Sequence, residues 1–289
     1  MKTSTSWFYR LSAVVSSVIA FHAYGQTPPT LAITGNRERV DIIFTGTHIL
    51  EATGEITGPW VSLGSQTSPF TDPDSATLSR RFYRLHDGDV FSANAVGFYR
   101  LALCEGFSLI ANQLNHSPNN TLESIFNTAS NTPDGVAIYK YNPSTGGYVY
   151  KVYAGGAWFG DPDTVMLNPG EGAYLNAPIA FNHRFLGDVP MAPCIPIRPG
   201  FSIISCPLPK ICPLITGFET GFPVGDEDTV YRAISCSGPL HFSYDVYTGG
   251  EWFGDSLGTP VMNVGEAFWF HRQFSNGAAS WCRFFSVGF

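Results

Sequence analysis

The sequence predicts an all-β protein: an N-terminal sandwich of the immunoglobulin or fibronectin kind, followed by two tandem copies of a second β-rich module. Three observations predict this. Residues 148–161 (YVYKVYAGGAWFGD) recur 94 positions later as residues 242–255 (FSYDVYTGGEWFGD). The same spacing carries Gly106-Phe107-Ser108 onto Gly200-Phe201-Ser202 and Asp134 onto Asp228. Register kept over that distance marks a repeated structural unit. The second observation is punctuation. With 30 Gly and 21 Pro, the chain is cut into short aromatic and β-branched runs, the pattern of strands and tight turns. The third is the balance of residue types. Charged residues make up 13% and aromatics 15%, which leaves little material for the polar faces of long amphipathic helices.

The elements follow in chain order. Residues 1–25 read as a signal peptide. Lys2 and Arg10 form a positive start, Leu11 to Phe21 is an 11-residue apolar run, and Ala23-Tyr24-Gly25 is a small-x-small cleavage site. The apolar run is shorter than the roughly 20 residues that span a bilayer. The mature chain would start at Gln26 and be secreted to the periplasm, cell surface or medium. Its charge moves from −7 to −9, because the segment removes two basic residues and no acidic ones. A chain so acidic lacks the basic surface that phosphates require, so nucleic acid is excluded as a partner. No later run is long and apolar enough to predict a membrane-spanning helix.

Residues 29–86 read as the sandwich. Leu31 to Ile33, Val40 to Phe44, Trp60 to Leu63 and Arg81 to Leu85 alternate or run apolar as strands do, and Asp72-Pro73-Asp74 makes a turn. The lone Trp60 reads as a core plug. Module one spans 90–189. Val96 to Leu103, Phe107 to Ala111, Val136 to Tyr141 and Tyr148 to Tyr153 are its strands. Asn120 with Glu123 three positions on predicts a capping box and one short helix through Phe126. Residues 190–199 (PMAPCIPIRP) predict a stiff linker, and module two spans 200–289. There Val264-Gly265-Glu266-Ala267 answers Pro169-Gly170-Glu171-Gly172, and the short helix has no counterpart.

The modules resemble a widespread group of secreted bacterial proteins of unassigned function. Their units read G-[FW]-x-L-I-x-x-x-L, then an I-Y-x-[YF] strand, then PG-x-G-[YF]. Here the corresponding residues are Gly106 to Ile110, Ile138 to Tyr141, and Pro169 to Tyr174. The N-terminal part is similar to the W…RFYRL units that accompany such modules. The resemblance implies a secreted or surface-associated β protein, often an accessory part, and implies no chemistry. Val264, Ala267 and the extra cysteines of module two depart from the pattern.

Six cysteines, Cys104, Cys194, Cys206, Cys212, Cys236 and Cys282, read as disulfide candidates behind a signal peptide, with pairing undetermined. Motifs for a serine-nucleophile elbow, a zinc protease, a phosphate loop or an EF-hand are absent, and no cofactor or metal is implied. The acidic turns Asp161-Pro162-Asp163 and Asp226-Glu227-Asp228 read as ordinary turns. Glu171 and Glu266 recur at matching places, as a shared turn would require. The chain therefore reads as a non-catalytic structural or binding protein. The first alternative is a carbohydrate-binding protein using the twin GGxWFGD loops. There Trp158, Phe159 and Asp161, with Trp252, Phe253 and Asp255, would stack sugar rings and bond their hydroxyls, and the partner would be a glycan or cell-surface polymer. The competing reading makes these aromatics core plugs and the aspartates turn caps. A hydrolase built on two facing carboxylates is a further alternative. The alternating C-terminal run ending at Phe289 also matches the way outer-membrane barrels end, although the Pro density and cysteines argue against a barrel.

Overall fold

The computed structural model describes residues 27–36, 38–127, 132–162, 165–215, 221–234 and 240–288. The expected signal peptide, Cys236, Asp163 and Phe289 lie outside the described residues. The fold is nearly all β, in multiple antiparallel sheets. Among the described residues no helix is long and apolar enough to cross a membrane.

The N-terminal part has two sheets. Leu31–Gly35, Val40–Phe44 and Phe70–Thr71 form the smaller one. The larger joins Thr47–Thr53, Val61–Thr67, Arg80–Asp87 and Val90–Phe91 to Val96–Leu103 and Phe181–Asp188. Alternation supplies the shared core: Leu31, Ile33, Val40, Ile42 and Phe44 face Leu50, Tyr83, Leu85, Phe98 and Leu186. The division expected between 86 and 90 thus falls inside one continuous sheet, whose last two strands frame everything from Gly106 to Ala177. Residues 96–103 alternate like any half-buried strand, and nothing local says which sheet they join. Trp60 is a half-buried platform instead of a plug. Arg84 lies between its ring and that of Phe91, at 4.5 and 4.4 Å. The same guanidinium reaches Glu51 and the carbonyl of Val287, fastening the end of the chain to this unit.

Two five-stranded sheets follow. The first runs in the order Ala157–Gly160, Gly147–Ala154, Ala137–Asn142, Gly172–Ala177, Gly106–Ala111. The second runs Glu251–Gly254, Phe242–Thr248, Thr229–Ala233, Ala267–Arg272, Gly200–Ser205, which is the same order. The registers also match. Tyr139 sits opposite Tyr150 and Tyr174, and Tyr231 opposite Tyr244 and Trp269. One correspondence read from the sequence changes. Asp134 accepts a hydrogen bond from Gly155 N at 3.0 Å, and the residue doing this for Gly249 is Asp226, not Asp228. The third strand of the second sheet lies two residues earlier than a uniform 94 would place it. Asp228 instead meets Arg272 at 3.2 Å and the Gln273 amide at 2.7 Å.

The helix Leu122–Asn127 belongs to module one, as expected, but its cap differs. Thr121 Oγ1 accepts from Ser124 N at 3.3 Å. Asn120 accepts from His116 N, and Glu123 pairs with the buried Lys151. Residues 190–199 are no free linker either. Cys194–Ile197 pairs with Ala279–Cys282, and a Cys194–Cys282 disulfide joins the facing ends.

The two sheets meet by reciprocal bonds. Ala111 N donates to Gly265 O at 3.0 Å, and its counterpart Ser205 N donates to Gly170 O at 2.9 Å. The bridges Ile110 to Glu266 and Ile204 to Glu171 repeat the exchange. Such mutual contacts define a local twofold relation within one chain. Leu109, Ala111, Ile203 and Ala267 are buried at this seam. A β-carbon on Gly172 would come within 2.5 Å of Ala267 Cβ and 2.6 Å of Ile203 Cγ2.

Gly172→Ala should therefore lower stability by about 1–3 kcal/mol through overpacking, while Gly147→Ala, whose β-carbon would meet only Thr145 Oγ1 at 3.6 Å, should change it far less. Urea denaturation of the two variants checks this. A second expectation concerns His183, buried between Phe126 and Phe185 with neither ring nitrogen hydrogen-bonded among the described residues. Burial, and then neighbouring His116, lowers its pKa from 6.5 to about 3. The unfolded chain takes up this proton near pH 6.5 and the folded chain refuses it until about pH 3. Stability should fall on acidification through that window, by up to about 1.4 kcal/mol per pH unit from this group. In His183→Phe the slope should shrink; an unchanged slope in pH-dependent melting would remove His183 as the cause.

Candidate binding surface

Each residue of the repeated GGxWFGD motif has an assignable place. Gly155-Gly156 and Gly249-Gly250 all have positive φ, between 57° and 93°, and make the two-residue turns that return each hairpin. The next strand alternates, so Trp and Phe point to opposite faces. Trp158 packs inward on Phe126 and Tyr153, with ring centroids at 5.8 and 5.3 Å. Trp252 is 8% exposed, and its Nε1 donates to Leu214 O at 3.1 Å. Phe159 and Phe253 point outward, 59% and 55% exposed. Asp161 and Asp255 accept from the amides of Tyr150 and Tyr244, at 2.8 and 3.0 Å. So the six candidate residues do not form two open sites. The tryptophans plug cores, the aspartates cap strand edges, and of the four rings the phenylalanines are the ones turned to the surface.

Those phenylalanines share a face with a set of aromatic residues that the motif did not single out. Val152 faces Phe159 across the hairpin, so Tyr150 and Tyr148 lie on that face; Tyr139, Tyr141 and Tyr174 follow from the register. The second sheet presents Phe253, Tyr244, Phe242, Tyr231, Trp269 and Phe201 in the same way. The core takes one face of each sheet, leaving the other to these rings. Ring contacts run unbroken across the seam. Tyr150 stacks on Tyr139 at 6.0 Å, Tyr139 touches Phe107, Phe107 meets Tyr174 edge-on, Tyr174 approaches Trp269 at 6.2 Å, and Trp269 leads to Phe201 and Tyr231.

At the centre, Trp269 Nε1 donates to Tyr174 Oη at 2.6 Å, joining equivalent positions of the two sheets. Around this bond lies a shallow groove of about 460 Å³ lined by Tyr141, Tyr174, Phe201, Tyr231, Phe242 and Trp269. Burial pushes the Tyr174 and Tyr148 phenols above their usual range, so both keep their protons and can donate. Among the described residues, those lining the groove are all uncharged.

The recurrent glutamates have structural partners. Glu171 accepts from Asn168 N and holds Lys140, at 2.7 and 2.8 Å. Glu266 accepts from Asn263 N and holds Arg232, at 2.9 and 2.8 Å. Asp226 and Asp228 accept from backbone amides, as described. Among the described residues no group of three metal-ligating side chains occurs. The cysteines divide. Cys194 and Cys282 are joined and Cys104 is disulfide-bonded, whereas Cys206 and Cys212 are buried thiols, unlike the disulfide expectation.

Truncating the inward rings should cost stability and truncating the outward ones should not. Trp252→Ala is expected to destabilise by roughly 3–5 kcal/mol through a cavity and an orphaned carbonyl, against about 0.5 kcal/mol for Phe253→Ala. Denaturation midpoints measured side by side decide it; equal losses would contradict the facing assigned to the hairpin. Comparison of the chain with protein-family models, with curated proteins and with solved structures gave no match.

Proposed function

We propose that this is a non-catalytic, extracytoplasmic binding protein, and that its working surface is the aromatic face of the paired sheets, which takes an extended saccharide polymer. The observation that carries this reading is the unbroken file of rings from Tyr150 through Tyr174 and Trp269 to Tyr231. Exposed apolar surface on this scale is uncommon without a partner. Pyranose rings have flat C–H faces that pack on aromatic rings, and their rim hydroxyls bond groups such as phenol O–H. A shallow groove open along its length suits a chain better than an enclosed small molecule. The absence of charge in the groove, with the acidic net charge, disfavours a phosphate backbone. The Cys194–Cys282 disulfide supports an oxidising compartment, and hence secretion.

Co-sedimentation with insoluble cellulose, chitin and peptidoglycan tests the reading. One of these should retain the protein, and Tyr150→Ala combined with Tyr244→Ala should weaken retention about tenfold without lowering the melting point, because both rings are exposed. Retention unchanged by the double substitution, or retention by none of the three, would count against a saccharide ligand on this face.

A further inference from the structure

We infer that Cys206 and Cys212 are a disulfide-forming pair, and that the mature protein carries a cystine here beneath the seam of the two sheets. Both thiols are fully buried in the core that also holds Leu214, Trp252, Met262 and Trp281. They lie close enough for each to shift the other's titration. Arg283 Nη2 donates to Cys212 Sγ at 3.6 Å. A buried thiol can serve as a small hydrophobe. A thiol pair in mutual contact, in a chain whose Cys194, Cys282 and Cys104 are already oxidised, is instead a cross-link in its reduced form.

The chemistry is thiol–disulfide exchange with a low-molecular-weight disulfide, oxidised glutathione being the simplest. The thiolate of either cysteine attacks one sulfur of the donor, forming a mixed disulfide and releasing one glutathione thiolate. The thiolate of the other then attacks the protein sulfur of that mixed disulfide, closing the protein disulfide and expelling the second glutathione thiolate. The two cysteine protons pass through solvent to the two departing thiolates. Protein sulfur is oxidised and the donor is reduced, two electrons each way. Since neither residue is exposed in the folded chain, the exchange belongs to folding, before this core closes.

The cross-link has a defined mechanical place. Cys212-Pro213 is a short strand paired with Val261-Met262, and Leu214 just beyond it receives the Trp252 indole. Cys206 O accepts from Gln113 Nε2 at 3.0 Å, and Gln113 Oε1 accepts from Gly265 N at 2.8 Å. Joining the two sulfurs ties the support of Trp252 to the seam.

The full chain, reduced and unfolded in guanidinium, is refolded with oxidised glutathione at mildly alkaline pH, then unfolded again without reductant in N-ethylmaleimide. Trypsin cleavage at Lys210 with chymotrypsin cleavage at Phe201 leaves Cys194, Cys206 and Cys212 on separate peptides, so only a disulfide between Cys206 and Cys212 keeps those two together. The expected result is one linked species and no maleimide on either residue. Maleimide on Cys206 and Cys212, or their linkage to other cysteines, overturns the proposal.

Discussion

The paired amides at the seam are the constraint on which the aromatic surface depends. Two sheets that each bury one face leave the other open to water, and a row of exposed rings on either would be an ordinary if sticky surface. Reciprocal bonds from Ala111 and Ser205 place the two open faces edge to edge. Backbone donors approach this closely because Gly172, Ala111 and Ala267 leave room beside Leu109 and Ile203. The smallness of these residues sets the distance between Tyr174 and Trp269, and that distance makes one groove out of two halves.

Much of the sheet architecture was legible in the sequence, because the repeated hairpin carries its own turn, plug and cap. What escaped was the direction in which the hairpin faces. Trp-Phe reads as an adjacent pair, yet consecutive strand residues point opposite ways, so a flat two-ring platform could not exist there. The surface was written in a different signal: Tyr148 and Tyr150, and Tyr139 and Tyr141, alternate with residues that turn toward the core. Period-two aromatics on both paired strands identify a face, not a loop. The strand pairing of 96–103 with 181–188 was illegible for another reason. Contacts between residues so far apart leave no local trace, since each strand alone carries only an alternating pattern.

The two modules also differ at one buried position in a way that explains the helix. Lys151 and Asp245 are equivalent, both almost wholly buried, and opposite in charge. A buried ammonium needs a nearby anion, and in module one the short helix presents Glu123 to it. Asp245 needs donors instead, and finds them in the amide and hydroxyl of Ser256, at 2.8 and 2.6 Å. Inverting the charge at this site removes the need for a helix-borne carboxylate beside it.

The local twofold at the seam has a consequence for any linear ligand with distinguishable ends. Rotation about that axis exchanges the sheets and reverses a strand laid across them. A directional chain crossing the groove would meet one sheet head-first and its counterpart tail-first. Turned end over end, it would find nearly the same rings in nearly the same order. A surface of this symmetry would grip such a chain without registering its polarity, a property suited to holding a polymer in place and unsuited to processing it from one end.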